Sequence, residues 1–247
     1  MPPDITVYSL ATAAVITFAG SLVKSTSGFG FALVSVPLLL LLWDPIYVVP
    51  VIIPLAFTTD ALICFNNRKV LEPRRVALMV VAGLAGIPLG AYVLLAAHPD
   101  TLRLAIAVLV ISAGTLLLFG FTIDIKKERM AGGLVGFVSG VMASSSGLAG
   151  VPVSLFMINQ KWAKTTFRTS ISLYFLFIDV STILMLATTG ALTFDTLKVT
   201  AVLWLPVLLA YRIATLILPY IKQDLFIRIA TAIVMGSGVV AIADSIW

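Results

Sequence analysis

The sequence is poor in charge, cysteine and histidine. Only 11% of its 247 residues are charged and 60% are hydrophobic, whereas an ordinary soluble domain carries roughly 25% charged residues. The single cysteine, Cys64, excludes an intramolecular disulfide and argues against a cysteine metal site. With one histidine, His98, no cluster of metal ligands is visible. These shortages predict an integral membrane protein without a large soluble domain and without a metal centre.

Apolar runs recur along the whole chain. Seven approach the roughly 20 residues that a bilayer core requires; they are Ile5–Ser25, Ile46–Phe65, Val76–Ala97, Thr101–Phe121, Thr165–Ala187, Thr196–Leu218 and Leu225–Ile246. Three are shorter, at Gly30–Trp43, Met130–Ala143 and Leu148–Asn159, and runs of about 10–14 residues are typical of re-entrant helices. The alternating strands that mark a barrel are not visible. The predicted fold class is therefore an all-α polytopic membrane protein.

The basic residues cluster in four loops, at 66–75, 124–129, 161–168 and around 219–224. The net charge of +5 is better explained by cytoplasmic loops than by nucleic-acid binding. If all four loops are cytoplasmic, the two short-helix hairpins enter the membrane from opposite faces and both termini are periplasmic. The N-terminus lacks a basic region and a clear cleavage site, so we expect the first helix to be retained.

Several residues of the two halves match in the same order, at a spacing near 119 that increases to 124–125 in the later pairs, as a small insertion would produce. The sequence SGFG at Ser27 aligns with SGLAG at Ser146, and Asp60 aligns with Asp179, each pair 119 residues apart. This predicts an internal duplication over residues 1–123 and 124–247. Each half would hold one broken-helix hairpin and three transmembrane helices, with the second half inverted. Inverted repeats are a signature of secondary transporters.

The two hairpin tips are the candidate binding site. In inverted-repeat transporters the substrate binds near the midplane, where discontinuous helices leave free amino termini. Amide N–H groups, helix dipoles, seryl hydroxyls and a lysine together suit an anion. The candidate residues are Lys24, Ser25, Thr26, Ser27, Gly28, Phe29, Gly30, Ser144, Ser145, Ser146, Gly147, Gly150 and Pro152. The alternatives are close packing of small residues and, for Lys24, extension of its side chain to an interface.

Three further embedded charges are candidates for coupling or gating. Asp60 and Asp179 each lie well inside a long apolar segment, and a carboxyl group in a low-dielectric medium can carry a proton. Proton coupling is one hypothesis, and pairing with Lys24 or Arg168, or a bond between helices, is the alternative. Arg168 could guide an anion inward or simply anchor its helix. For the other glycines we expect helix packing; these are Gly83, Gly86, Gly90, Gly132, Gly133, Gly136 and Gly140.

With these motifs in view, the chain resembles the sulfite exporter TauE/SafE family, also called the toluenesulfonate uptake permease family. The resemblance covers nearly the whole chain and is carried by SGFGFALVSVPLLLLL from Ser27, GFVSGVMASSSGLAGVPVSLFM from Gly136 and FRTSISLYF from Phe167. It implies transport of small sulfur-containing or organic anions across a bacterial inner membrane. It also implies roles for Ser27, Gly28, Gly30, Pro37, Ser146, Gly147, Gly150 and Pro152. Phe29 and Phe31 flank Gly30, where the family is often richer in glycine, which predicts a narrower or more apolar pocket.

The sequence therefore predicts a secondary transporter for sulfite, an organosulfonate or a related sulfur oxyanion, working by alternating access. The alternatives are an anion channel on the same scaffold, a transporter of organic carboxylates and a structural protein without a substrate. No catalytic motif is recognisable, so no enzyme activity and no cofactor are expected. The expected partners are the small anion, with protons as a candidate coupling ion, and membrane lipid. The exact anion, the direction of transport and the oligomeric state, a homo-oligomer included, stay open.

Overall fold

The computed structural model describes residues 5–119, 128–160, 162 and 164–217. Across these residues the secondary structure is helical, without a strand. The α-helices are α1 (Val7–Ser27), α2 (Phe31–Leu39), α3 (Pro45–Asn66), α4 (Pro73–Ala96), α5 (Pro99–Phe119), α6 (Glu128–Ser146), α7 (Gly150–Asn159), α8 (Lys164–Thr188) and α9 (Phe194–Ile217), and a 3-10 turn follows α3 at Arg68–Val70. The predicted all-helical class is confirmed.

The helices fall into a long class and a short class. In the described residues, α1, α3, α4, α8 and α9 are long and apolar enough to cross a membrane. By contrast, α2 has 9 residues and α7 has 10, which at about 1.5 Å per residue span about half of a bilayer core. The predicted segment Leu225–Ile246 and the basic loop at 219–224 lie outside the described residues.

One short segment is longer than the sequence predicts. The predicted run Met130–Ala143 is part of α6, which has 19 residues and continues to the end of the serine run. The hydroxyls of Ser145 and Ser146 donate to the carbonyls four residues earlier, at 2.8 and 2.9 Å. Because these bonds satisfy the hydroxyls within the helix, the serines extend α6 instead of breaking it.

The helices pack in long pairs, with α4 along α6, α1 along α9, and α3 against α8. The order of a long helix, a short helix and two long helices occurs twice, in α1 to α4 and again in α6 to α9. The helices α2 and α7 begin 119 residues apart, at Phe31 and Gly150, and so do α3 and α8, at Pro45 and Lys164. The inversion of one half relative to the other stays a prediction.

The contact between α4 and α6 depends on glycine. A Cβ atom on Gly136 would lie 2.7 Å from the Met79 Cα atom, and one on Gly140 would lie 2.7 Å from the Gly83 carbonyl carbon. Real Cβ atoms do not approach other atoms so closely, so the two backbones touch here because side chains are missing. The predicted packing role is confirmed for Gly83, Gly86, Gly90, Gly136 and Gly140.

The packing role is wrong for Gly133. A Cβ atom built at this position has no neighbour within 4 Å, and at Gly132 it would make only ordinary contacts, the nearest at 3.6 Å. Both residues lie in the first two turns of α6, so the tight seam with α4 starts beyond them.

Candidate functional site

Two bends interrupt the apolar helices, one between α1 and α2 and one between α6 and α7. Each bend begins with a glycine in the left-handed region, Gly28 with a φ of 89° and Gly147 with a φ of 74°. Side chains other than glycine rarely adopt this conformation. The glycines therefore end α1 and α6, and the chain turns sharply into α2 and α7.

A serine fastens each bend in the same way. Ser27 donates its hydroxyl proton to a carbonyl four residues earlier, at 2.8 Å, and Ser146 does so at 2.9 Å. The same oxygens face the N–H groups two residues later, from Phe29 at 3.3 Å and from Leu148 at 3.4 Å. These two hydroxyls hold the backbone of the bends and do not face a cavity.

The other predicted hydroxyl donors are also turned toward the backbone. Thr26 donates to the Val23 carbonyl at 2.9 Å, and Ser144 donates to the Ile87 carbonyl on α4 at 2.7 Å. Ser25 is buried and its hydroxyl has no partner among the described residues. Apart from Ser25, these hydroxyls thus bond to backbone carbonyls, as hydroxyls in an apolar interior commonly do, and they do not provide donors to the cavity.

The two bends meet at one small cavity of about 30 Å³. Its walls include the first turn of α2 (Phe31–Leu33), the second bend (Gly147–Gly150), Lys24, Phe175 and Asp179. The bends lie next to each other, since a Cβ atom on Gly150 would be 3.9 Å from the Phe29 Cβ atom. A cavity of this size has room for a few water molecules.

The structure brings together part of the predicted site. Lys24, Gly30, Gly147, Gly150 and Asp179 line the cavity. The other predicted residues do not line it; they are Ser25, Thr26, Ser27, Gly28, Phe29, Asp60, Ser144, Ser145, Ser146, Pro152 and Arg168. The sequence did not identify Phe175, which has no polar atom and lies in an apolar segment like many others. Only Phe31 of the two flanking phenylalanines lines the cavity, because Phe29 packs edge-on against Phe167.

Two helix amino termini open onto this cavity. The residue before α2 is Gly30 and the residue before α7 is Ala149, and no side chain caps either helix. The first N–H groups of a helix have no acceptor within it, and the amino terminus carries a partial positive charge. The cavity therefore receives the positive ends of α2 and α7, an arrangement that suits a negative charge.

Lys24 adds a full positive charge beside the cavity. Its side chain is 5% exposed, and its Nζ atom lies 2.5 Å from Oδ2 of the fully buried Asp60. The same atom lies 4.9 Å from the centre of the Phe175 ring, within cation–π range. Lys24 thus points inward, and the alternative that it extends to an interface is wrong.

The carboxyl groups of Asp60 and Asp179 are neighbours across α3 and α8, with the Ser172 hydroxyl close to Asp60. Asp60 is fully buried and Asp179 is 3% exposed. Asp60 Oδ1 and Asp179 Oδ2 have no hydrogen-bond partner within the described ranges. The predicted pairing of Lys24 is confirmed for Asp60.

Arg168 fastens the first bend to α8. One guanidinium nitrogen, Nη2, donates to the Ser25 carbonyl at 2.7 Å, and a Cβ atom on Gly28 would lie 3.0 Å from the Arg168 Cα atom. A cation at the carboxyl end of α1 also opposes the negative end of that helix. This contact gives Arg168 an anchoring role, which was one of its two predicted roles. Among the described residues, no group of three or more His, Cys, Asp or Glu side chains could hold a metal ion.

Comparison with known proteins is informative at the level of the family. No curated protein and no solved structure matches the chain. A family model described as Sulfite exporter TauE/SafE matches residues 12–241, which include both bends, Lys24 and the two buried carboxyls. Since the match spans nearly the whole chain, the resemblance drawn from the sequence is confirmed. The chain belongs to the sulfite exporter TauE/SafE family of membrane transporters.

Proposed function

We propose that this protein is a secondary transporter that moves a small sulfur oxyanion, such as sulfite or an organosulfonate, across the bacterial inner membrane. The observation that carries the proposal is the buried Lys24 at a cavity that receives the amino termini of α2 and α7. A membrane charge is costly, and a lysine placed at this cavity with two helix dipoles attracts an anion. The family match supports the sulfur chemistry.

The cavity dimensions bear on the transport cycle. At about 30 Å³ the cavity holds water-sized groups only, and an aromatic sulfonate needs the two bends to separate. We therefore assign the structure to a closed conformation between the two open ones. The apolar walls at Phe31 and Phe175 favour an anion with a small organic group as readily as bare sulfite.

The proposed movement is alternating access between the halves 1–123 and 124–247. Each of the three long helix pairs joins one half to the other, and the pair of α1 with α9 corresponds to the pair of α6 with α4 under the predicted duplication. The pair α3 and α8 then lies at the centre and carries Asp60 and Asp179. In this proposal the halves are inverted repeats and the basic loops are cytoplasmic, which places the amino terminus in the periplasm.

The proposal is tested by anion flux in reconstituted vesicles. Lys24→Ala is expected to reduce the uptake of labelled sulfite or methanesulfonate at least tenfold. Lys198→Ala is the matched control, since Lys198 is an exposed lysine, 61% accessible, on α9. Wild-type flux in the Lys24→Ala vesicles would remove the lysine from the mechanism.

Two further measurements define the transport mode and the substrate. Saturable counterflow of labelled anion is expected of a carrier, whereas single-channel currents would identify a channel instead. A thermal-shift panel of sulfite, methanesulfonate, toluenesulfonate, thiosulfate and acetate ranks the substrates. We expect the sulfur oxyanions to stabilise the protein more than acetate does, and the reverse order would favour a carboxylate transporter.

A further inference from the structure

One cation faces two carboxyl groups at the centre of the protein. Lys24 comes from α1, Asp60 from α3 and Asp179 from α8, and none of the three is more than 5% exposed. The other titratable groups near them are Cys64, one turn after Asp60, and Tyr174, whose hydroxyl is 3.3 Å from the Gly136 carbonyl. Neither supplies a second positive charge.

Charge balance requires a proton at this cluster. Two ionised carboxylates side by side with a single ammonium would leave one negative charge buried without a partner, which is far more costly than a neutral carboxylic acid. Asp60 Oδ1 and Asp179 Oδ2, which have no other partner in the described chain, are the oxygen atoms available to share that proton.

The position of the cluster links this proton to the substrate. Lys24 lines the cavity that receives the helix amino termini, and its Nζ atom is already bound to Asp60. An anion that binds Lys24 competes with Asp60 for one positive charge, because the ammonium group has three N–H donors but carries a single charge. Asp60 is fully buried, so it cannot turn to bulk water when it loses its cation.

Resting on the proposed function, we propose that the anion and Asp60 compete for Lys24, and that Asp60 takes up one proton when the anion displaces it. The proton comes from a hydronium ion in the cavity and is added to a carboxylate oxygen of Asp60, which leaves a water molecule. When the anion departs, the proton returns to water and Asp60 binds Lys24 again. One monoanion and one proton enter together, so the net charge of the site does not change.

Asp179 provides the route for that proton. Of the two carboxyls, only Asp179 lines the cavity, while Asp60 lies behind it. The proton that Asp179 already holds can pass to the neighbouring Asp60 carboxylate, and one proton from the cavity then replaces it at Asp179. Asp60 is therefore the competitor for Lys24, and Asp179 is a positioning and relay residue.

Calorimetry of anion binding tests this coupling directly. Methanesulfonate is the probe, because its sulfonate group stays ionised through the neutral pH range and contributes no proton itself. The purified full-length protein is titrated at pH 7 in two buffers with different enthalpies of ionisation. We expect the wild type to take up about one proton per anion bound, and the exposed-carboxyl control Asp195→Asn to do the same.

Asp60→Asn is the variant that isolates the competition. It should bind methanesulfonate more tightly, by about tenfold if Asp60 occupies Lys24 about nine-tenths of the time, and the proton should then be taken up by Asp179, the carboxyl left to balance Lys24. Asp179→Asn should slow proton-driven uptake in vesicles while Lys24 still binds the anion. If Asp60→Asn does not fold, the wild type still decides the matter, since an imposed proton gradient must then drive methanesulfonate accumulation.

The outcomes separate the coupling from the proposed function. Binding without proton uptake in the wild type, or unchanged affinity in Asp60→Asn, overturns the coupling and leaves an anion transporter. Failure of the wild type to bind methanesulfonate overturns the coupling together with the proposed sulfonate specificity. Proton uptake in the wild type and in Asp195→Asn, together with tighter binding in Asp60→Asn, supports the proposal.

Discussion

The seam between α4 and α6 yields a stability prediction with an internal control. Gly140→Ala and Gly133→Ala place the same methyl group on the same helix, so they share the gain in helix propensity of about 0.8–1.0 kcal/mol. They differ in the space that is available to the added methyl group. The methyl group at 140 would meet the backbone of Gly83, with its carbonyl carbon at 2.7 Å and its Cα atom at 2.9 Å, whereas the one at 133 has nothing within 4 Å.

The size of the difference follows from these distances. Non-bonded carbon atoms rest at about 3.5–4.0 Å, so α4 and α6 must separate by about 1 Å to admit the methyl group at 140. A gap of that size reduces the dispersion energy of each contact along the seam by about a quarter to a half. We expect an overpacking cost of about 1–3 kcal/mol, near the upper end because the obstacle is backbone and cannot rotate away.

Equilibrium unfolding in mixed micelles, followed by tryptophan fluorescence, measures this difference. The free energy of unfolding should rank Gly133→Ala above the wild type and Gly140→Ala below Gly133→Ala by about 1–3 kcal/mol. Flux should fall in the Gly140→Ala variant alone, because α6 positions the second bend. Equal stability of the two variants would refute the close approach of α4 and α6.

The bends give two further predictions. Gly28→Ala and Gly147→Ala should each lower the free energy of unfolding by about 1–2 kcal/mol, because alanine does not favour the left-handed backbone. Gly28→Ala should cost more, since its methyl group would lie 3.0 Å from Arg168, whereas the one at 147 has no neighbour closer than 3.5 Å. Thermal unfolding checks this order, and a greater loss at 147 contradicts it. Arg168→Gln should lower the free energy of unfolding by about 1.5–3 kcal/mol, because the charged hydrogen bond to the Ser25 carbonyl is lost. Arg168→Lys keeps the charge and should lose less. Equal losses in the two variants would rule out an ionic contact at this position.

Much of the fold could be predicted from the sequence because a bilayer sets the length of its helices. Apolar length alone separated the full-length helices from α2 and α7, and the pairs Ser27–Gly28 and Ser146–Gly147 marked both bends. The length of α6 was less predictable. Serine is a common residue at turns, but in an apolar interior it also bonds to its own helix, and only the coordinates distinguish the two.

The site was harder to predict than the bends. Lys24 meets Asp60 only because the face of α1 that carries it packs against α3. Hydropathy does not predict such packing when the helices are apolar on every side. The residues that line the cavity without polar atoms, such as Phe175, carry no sequence signal of their own. Conversely, Ser27 and Ser146, which the sequence suggests as donors to an anion, occur in both bends because their hydroxyls bond to the backbone of the bend.

The predicted duplication makes the central cluster asymmetric in an informative way. At the offset of 119 that relates Asp60 to Asp179, the residue equivalent to Lys24 is Ala143, which is fully buried in α6. The carboxyls and the glycine bends thus occur twice, whereas the cation occurs once. A cavity with two equivalent helix termini but one lysine has a single ammonium group for an anion to bind, and two carboxylates are available to replace that anion. We therefore expect one anion to be bound in each cycle. A lysine introduced by Ala143→Lys should pair with Asp179 and leave the uptake of about one proton per anion in place, because the anion still displaces Asp60 from Lys24, and calorimetric stoichiometry would show both numbers.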